Sequence, residues 1–263
     1  VDFRLEYGNH IRGRSFYVSA NLSKIDLKKN RRPDIGILGD PNQFLRDLAR
    51  RMLDGERWQD WKSTLRQAQH EREAEIGQMA LQPTKRINPL HLCRELGQLN
   101  SAETIFVADG GDFVGTASYI VQPPGPLTWL DPGPFGTLGV GAGFALGAKL
   151  VRPEANVWII YGDGSVGYTL AEFDTFVRHK VPVVALVGND AGWAQIAREQ
   201  IEIFDDPVAT ELADTDYHQA AIGFGGAGFK VDDPEFVPET LQQALDTASN
   251  GQPVLINALI GKT

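Results

Sequence analysis

Residues 157–165 read Val157-Trp-Ile-Ile-Tyr-Gly-Asp-Gly-Ser165, and residues 183–193 read Val183-Val-Ala-Leu-Val-Gly-Asn-Asp-Ala-Gly-Trp193. Each segment begins with a short, nearly continuous apolar run, which is typical of strands that are buried on both faces of a parallel sheet. Between them, residues 169–179 carry apolar side chains at helical spacing. We therefore predict a strand–turn–helix–strand unit in which both strands end at the same edge of the sheet.

Both predicted turns contain a carboxylate, Asp163 after the first strand and Asp190 after the second. We expect the two side chains to lie side by side, where they would repel each other unless a hard cation such as Mg²⁺ bound between them. Gly162 and Gly164 allow a ligand to approach the backbone, and Ser165 opens a helix whose N-terminus suits a phosphate. The segment therefore predicts a site for a metal ion and a diphosphate. For Gly-Asp-Gly alone, the alternative is a tight turn with a solvated aspartate.

These turns resemble the metal and diphosphate motif of thiamine diphosphate (ThDP) enzymes, in the branch that contains acetolactate synthases, oxalyl-CoA decarboxylases and 2-hydroxyacyl-CoA lyases. The resemblance extends through residues 109–117, 129–133, 135–149 and 172–180. It is strongest to the acetolactate synthase-like 2-hydroxyacyl-CoA lyases. The resemblance implies a carbon–carbon lyase that uses ThDP and Mg²⁺ to cleave a 2-hydroxyacyl-CoA into formyl-CoA and an aldehyde or ketone.

The resemblance also implies which residues form the site. The metal ligands would be the side chains of Asp163 and Asp190 and the backbone carbonyl of Gly192. Leu138, which would bend the cofactor, and the carbonyl of Gly136, which would bind its amino group, are the catalytic candidates. The full set of cofactor-binding candidates is Gly111, Asp112, Phe113, Gly136, Leu138, Gly162, Asp163, Gly164, Ser165, Asp190, Gly192 and Trp193.

Four residues, of which Trp193 is also a cofactor-binding candidate, are candidates for binding substrate. Phe135, Trp193 and Gln195 would face it, and Arg4 stands where relatives contact an adenine nucleotide such as that of CoA. A solvated surface side chain is the alternative for Arg4, as a core position is for Leu138.

The sequence departs from the family pattern at three positions. Most relatives have Asn where Asp190 stands, and a hard cation tolerates the added charge. Acetolactate synthases have Gln and His in place of Asp112 and Phe113. Neither residue can donate a side-chain hydrogen bond to phosphate as Gln and His do, which weighs against a simple synthase.

The order of elements predicts the fold class. From residue 104 to 258, strands alternate with helices, which indicates a doubly wound parallel sheet that binds ligands at its carboxyl edge. We assign residues 86–263 to the ThDP diphosphate-binding domain, residues 56–85 to a connector helix, and residues 1–55 to the C-terminal part of a middle α/β domain. In a predicted helix over residues 138–150, repeated glycines indicate close approach of a ligand or backbone, or packing at a subunit interface.

Composition narrows the choice of partners. With 34 acidic and 25 basic residues, the net charge is −9, which argues against nucleic acid as a partner. No apolar run reaches the roughly 20 residues that a membrane span requires. The single cysteine, Cys93, fits a reducing compartment, and we expect a cytoplasmic protein.

The resemblance implies a partner as well. ThDP enzymes need a Glu from a pyrimidine-binding domain of a second subunit, and nothing in this sequence resembles that domain. We therefore expect a homodimer or homotetramer with an acyl-CoA or 2-oxo acid substrate. Two alternatives stay open: an acetolactate synthase or related 2-oxo acid decarboxylase or carboligase, and a catalytically silent structural or regulatory paralogue.

Overall fold

A computed structural model of the chain describes residues 3–52 and 58–262, in an N-terminal unit that ends at Gln69 and a C-terminal unit that begins at His70. In the N-terminal unit, strands β1 (Val18–Asn21) and β2 (Ile35–Leu38) pair in parallel, and helix α1 (Pro41–Arg51) follows. Helix α2 (Gln59–Ala80) contains the division between the units. The predicted domain limits near residues 55 and 85 stay predictions.

The C-terminal unit is built on a six-stranded sheet in which every pairing is parallel. The strand order is β4-β3-β5-β6-β8-β7. The strands are β3 (Thr104–Gly110), β4 (Trp129–Leu130), β5 (Asn156–Gly162), β6 (Val184–Asn189), β7 (Ala227–Val231) and β8 (Val254–Leu259).

Helices cover both faces of this sheet because alternate strand residues point to opposite sides. On one face, Phe106, Trp158 and Leu186 belong to a core that includes residues of α3 (Pro89–Gln98), α4 (Asp112–Ile120) and α10 (Val237–Ser249). On the other face, Ile159 and Leu255 share a core with residues of the remaining packed helices. These are α5 (Gly141–Val151), α6 (Asp163–Val166), α7 (Glu172–Arg178) and α9 (Tyr217–Gly223). The predicted doubly wound parallel sheet is confirmed.

The prediction of a helix from residue 138 was wrong, because α5 begins at Gly141. Gly139 has a φ of +83°, a left-handed conformation that interrupts a right-handed helix. The buried carboxylate of Asp109 accepts hydrogen bonds from the N–H groups of Gly139 at 2.8 Å and Gly141 at 2.7 Å. Leu138 therefore lies in a loop that Asp109 anchors to the end of β3.

No helix in the described ranges is long and apolar enough to cross a membrane.

Candidate functional site

A cavity of about 290 Å³ opens at the carboxyl ends of β3, β5 and β6. It brings together all the cofactor-binding and metal candidates of the sequence, together with Gln195, although their roles stay predictions. Those lining residues are Gly111, Asp112, Phe113, Gly136, Leu138, Gly162, Asp163, Gly164, Ser165, Asp190, Gly192, Trp193 and Gln195.

The first carboxylate, Asp163, is fixed by backbone groups from two turns. It follows β5 directly and is only 3% exposed. Its Oδ1 accepts a hydrogen bond from the Gly164 N–H at 2.8 Å, and its Oδ2 accepts one from the Gly192 N–H at 2.9 Å. Burial raises the pKa of Asp163, and these N–H donors oppose that rise by favouring the charged form. The bond to Gly192 joins the two turns of the predicted site.

The second carboxylate, Asp190, lies under greater electrostatic strain. Burial, followed by the charge of Asp163, raises the pKa of Asp190 to about 6, while the charge of Lys262 lowers it. Mutual repulsion of this kind is what a bound cation relieves. The raised pKa of Asp190 agrees with the predicted metal site, which stays a prediction.

The pairing of Gly192 with Glu211 indicates the direction of the Gly192 carbonyl. Gly192 pairs with Glu211 in an antiparallel bridge, which is closed by bonds from Trp193 N–H to the Thr210 carbonyl and from Leu212 N–H to the Ala191 carbonyl. In this kind of pair, the N–H and C=O of the central residue both face away from the partner strand. The Gly192 carbonyl is thus directed to the side where the Gly192 N–H meets Asp163.

The turns after β3 and β5 approach each other so closely that side chains would separate them. A Cβ on Gly162 would lie 2.9 Å from the Gly110 carbonyl oxygen, and one on Gly111 would lie 3.2 Å from the Gly162 Cα. The hydroxyl of Ser165 donates across this contact to the carbonyls of Gly110 and Gly162. That hydroxyl is thus engaged in joining the two turns, and the phosphate role predicted for Ser165 stays a prediction.

Two aromatic rings and an ion pair shape the cavity. The Phe113 ring packs beneath Gly188, and the Trp193 ring packs over Gly164, since a Cβ on either glycine would lie 2.4 Å from ring carbons. Asp112, at the first turn of α4, forms an ion pair with Arg198 of helix α8 (Ala194–Phe204).

Of the remaining candidates, Leu138 and Gly136 line the cavity and Phe135 does not. The Leu138 side chain covers Gly110, with its Cδ2 only 2.1 Å from where a Cβ would stand. Gly136 lines the cavity with a φ of +58°. Phe135 is 89% exposed and is not among the lining residues, and the side chain of Arg4 lies outside the described residues.

Several residues that form or support the cavity were not predicted from the sequence. Tyr168, Gly188, Ala194 and Ile196 also line the cavity. Asp109 was not singled out, although it anchors the loop that carries Leu138. The available signal was an acidic residue at the end of a buried strand, directly before two glycines.

Residues 109–258 match the family profile described as "Thiamine pyrophosphate enzyme, C-terminal TPP binding domain", thiamine pyrophosphate being another name for ThDP. The chain belongs to the thiamine pyrophosphate enzyme family. The match begins at Asp109, the anchor of the Leu138 loop, and includes Asp163 and Asp190. The resemblance predicted from the sequence is confirmed at the level of the family.

Curated relatives match almost the whole chain. The 2-hydroxyacyl-CoA lyase 2 of Danio rerio is 48% identical over 269 residues, and that of Homo sapiens is 46% identical over 270, each match covering 100% of this chain. A probable acetolactate synthase of Mycobacterium bovis is 32% identical over 262 residues, or 98% of the chain. The chain spans 43% of the length of these two lyases and 47% of that synthase.

The predicted donor set suits a magnesium ion that keeps open coordination positions. Within residues 3–52 and 58–262, no group of three or more His, Cys, Asp or Glu side chains is arranged to hold a metal. Two carboxylates and one carbonyl leave room for phosphate and water, which Mg²⁺ commonly retains as ligands. The residues present therefore fit a metal that is bound together with a diphosphate.

Proposed function

We propose that this chain forms the Mg²⁺- and ThDP-binding part of a carbon–carbon lyase that cleaves a 2-hydroxyacyl-CoA into formyl-CoA and an aldehyde or ketone. The observation that carries the proposal is the convergence of Asp163, Asp190 and Gly192 in one cavity of a ThDP-binding domain. The choice of reaction is supported by relatives named 2-hydroxyacyl-CoA lyase 2, which share 46–48% identity over the whole chain.

In this proposal, the side chains of Asp163 and Asp190 and the carbonyl of Gly192 hold Mg²⁺. Burial, and after it the charge of Asp163, raises the pKa of Asp190, so a divalent ion would stabilise both carboxylates in their ionised forms. The backbone N–H groups at the start of α4 and α6 would donate to the diphosphate. Asp112 does not repel that diphosphate with its full charge because Arg198 pairs with it.

When bound, ThDP supplies a nucleophilic carbon and an electron sink for carbon–carbon bond cleavage. The chain's contribution is to bind and orient it. Leu138 would support the bent cofactor from the loop that Asp109 anchors, and the carbonyl of Gly136 would accept a hydrogen bond from its amino group. Trp193 would exclude water beside the diphosphate, and Gln195 would contact the substrate at the rim of the cavity.

The proposed enzyme is a homodimer or homotetramer in which a second subunit supplies a pyrimidine-binding domain with its Glu. This part of the proposal comes from the family resemblance, and it agrees with a chain that spans 43% of its lyase relatives. It predicts that the 263-residue chain alone binds Mg²⁺ and ThDP weakly and has no turnover.

The test compares the chain alone with a chimera that joins it to the preceding segment of the Danio rerio lyase. Tryptophan fluorescence would follow ThDP titrations with and without Mg²⁺, because Trp193 lines the cavity. Each protein would then be assayed for formyl-CoA release from a 2-hydroxyacyl-CoA and for acetolactate formation from pyruvate.

We expect Mg²⁺-dependent binding by both proteins, and formyl-CoA release by the chimera. Acetolactate formation without formyl-CoA would establish a synthase instead, the reaction for which the relative at 32% identity is named. A chain and a chimera that both fail to bind ThDP would indicate a silent paralogue and overturn the proposal.

A further inference from the structure

Two asparagines lie in the interior of the sheet behind the proposed metal site. Asn189 ends β6, Asn257 lies within the neighbouring strand β8, and both are 0% exposed. Burying a side-chain amide is unfavourable unless its polar atoms are hydrogen-bonded. The hydrogen bonds of these two residues therefore indicate what they do.

The two amides share one acceptor. Asn189 Nδ2 donates to Asn257 Oδ1 and to the Thr215 carbonyl, both at 3.2 Å. Asn257 Nδ2 donates to the same Thr215 carbonyl at 2.9 Å. We call Asn189, Asn257 and the Thr215 carbonyl the amide cluster. Each member contacts the other two, so the cluster fixes the direction of the Asn189 side chain.

The amide cluster connects to the loop that carries the proposed metal ligands. Asn189 Oδ1 accepts a hydrogen bond from the Ala191 N–H at 3.2 Å, and Ala191 has the strained φ of +56°. The next N–H, from Gly192, donates to Asp163 at 2.9 Å. Hydrogen bonds, together with the covalent link between Ala191 and Gly192, thus connect Asn257 to Asp163, and Asp190 lies within the loop that they constrain.

The Thr215 end of the cluster is itself anchored. Asp214 forms two 2.8 Å hydrogen bonds with Arg86, and Asp216 forms one of 3.0 Å with Lys230. Because both neighbours of Thr215 are hydrogen-bonded to other parts of the C-terminal unit, these contacts constrain the position of the Thr215 carbonyl that accepts from the two asparagines.

Packing alone does not require an amide at position 257. Leu255, two residues earlier on the same face of β8, is also 0% exposed and belongs to the apolar core. An apolar residue at 257 would satisfy the sheet equally well and would avoid the desolvation of an amide. The amide is therefore explained by its partners.

We propose that Asn257 is a positioning residue for the carboxylate loop, residues 189–192. Acting through Asn189, it holds the loop in the conformation that directs Asp190 and the Gly192 carbonyl toward Asp163. The consequence for Mg²⁺ affinity rests on the proposed function. Outer partners of metal ligands typically change metal affinity by about 10- to 100-fold when they are removed.

The first test measures the loop without metal or cofactor. Asn257→Leu removes the amide at similar volume, and Leu255→Ala is the control for a general loss of packing on the same strand. Amide hydrogen exchange would be followed by NMR in the whole chain. We expect exchange at Ala191 and Gly192 to accelerate about tenfold or more in Asn257→Leu relative to core amides of β5, a local effect that the control lacks.

The second test measures Mg²⁺ affinity at saturating ThDP. We expect the dissociation constant for Mg²⁺ to rise about tenfold in Asn257→Leu and to be partly restored in Asn257→Ser, whose hydroxyl can donate to Thr215 or accept from Asn189. Leu255→Ala should bind Mg²⁺ like the wild type.

Unchanged exchange at Ala191 and Gly192 in both Asn257 variants, or equal acceleration in the Leu255→Ala control, would overturn the inference. A wild-type chain that binds no Mg²⁺ and ThDP would contradict the proposed function instead. The exchange comparison would still decide whether Asn257 positions the loop.

Discussion

Asp163 and Asp190 carry the same side chain at the ends of adjacent strands, but the protein treats them differently. Asp163 is almost fully buried, and backbone N–H groups of Gly164 and Gly192 bind its two oxygens. Asp190 is more accessible, and its pKa is raised to about 6 by burial and by the charge of Asp163. The fold thus orients the first carboxylate by itself, whereas the second lies in an electrostatic environment that disfavours its ionised form.

Two ligands of one proposed metal site need not contribute equally to its stability and to metal binding. A carboxylate held by N–H donors acts as part of the scaffold, and its replacement by an amide places an NH₂ group against an N–H donor. A carboxylate under repulsion loses much of its electrostatic penalty when it is neutralised. The same substitution, Asp→Asn, should therefore have opposite consequences at the two positions.

The largest effect is expected for Asp163→Asn. The substitution removes a metal ligand and, because one amide nitrogen must face a donor, also weakens the bond that joins the two turns. We expect Mg²⁺-dependent affinity for ThDP to fall by about 100-fold or more, at the upper end of losses known for metal-site changes. Isothermal titration at fixed Mg²⁺ measures this, with circular dichroism as the check on folding. Affinity within threefold of wild type would remove Asp163 from the metal site.

The next effect tests whether the Asp163 turn is rigid. In Gly164→Ala, the new Cβ would lie 2.4–2.6 Å from three atoms of the Trp193 ring, so the ring or the turn must shift. We expect ThDP affinity to fall about tenfold and the free energy of unfolding to fall by about 1–3 kcal/mol, as is usual for overpacking. ThDP titration and thermal unfolding measure the two quantities.

Gly167→Ala is the matched control for this substitution. Its Cβ would lie 3.4 Å from the Gly164 carbonyl oxygen, an ordinary contact in the same turn region. If both variants bind ThDP like the wild type, the Asp163 turn is more adaptable than the comparison requires.

For Asp190→Asn we expect a smaller loss of ThDP affinity than for Asp163→Asn. Its free energy of unfolding should rise, whereas that of Gly164→Ala should fall. The amide oxygen can still bind Mg²⁺, so ThDP affinity should change by no more than about fivefold. Without metal, the free energy of unfolding at pH 8 should increase by about 1–3 kcal/mol, because the variant avoids ionising a carboxyl whose pKa the fold raises.

The sign of the pH dependence follows from the same pKa. Below the ordinary pKa of about 3.9, Asp190 is protonated in both the folded and unfolded states, so it has no charge-related penalty. As the pH rises from about 3.9 to about 6, the unfolded state ionises Asp190 while the folded state keeps it protonated, so the wild type loses stability relative to the variant. Above about pH 6 both states are ionised, and the loss stays constant. Thermal unfolding from pH 4 to 8 in EDTA should show the difference in the free energy of unfolding growing up to about pH 6 and then levelling off. A constant difference would contradict the assigned pKa.

Part of this comparison was readable in the sequence. The apolar runs before Asp163 and Asp190 predicted adjacent parallel strands, and their shared carboxyl edge predicted that the two side chains would meet. The unequal surroundings were not readable, since they depend on an N–H from Gly192 in the opposite turn. The Asp109 contacts to Gly139 and Gly141, which start α5 late, span 30 and 32 residues, and no local pattern encodes such a distance. The sequence supplied the residues of the site, and tertiary packing assigned their individual environments.

The smallest effect is expected at the ion pair between Asp112 and Arg198. This pair belongs to the surroundings of Asp190, because the charge of Asp112 is one of the causes that raise the pKa of Asp190. In Arg198→Ala, Asp112 would lose its pairing with Arg198, and its charge would disfavour both the diphosphate and the ionised Asp190. The Arg198 side chain is 58% exposed, so we expect only a two- to fivefold loss of ThDP affinity, in the range of about 0.5–1 kcal/mol for exposed ion pairs.

The loss should shrink as salt is raised from about 0.05 to 0.5 M, because screening weakens exposed charges. Arg198→Lys is the control that keeps the charge, and the double variant Arg198→Ala with Asp112→Asn should regain wild-type affinity. A loss that persists at high salt and in the double variant would show that Arg198 acts through contacts other than the charge of Asp112. The surroundings of Asp190 would then be no more sensitive to charge than those of Asp163.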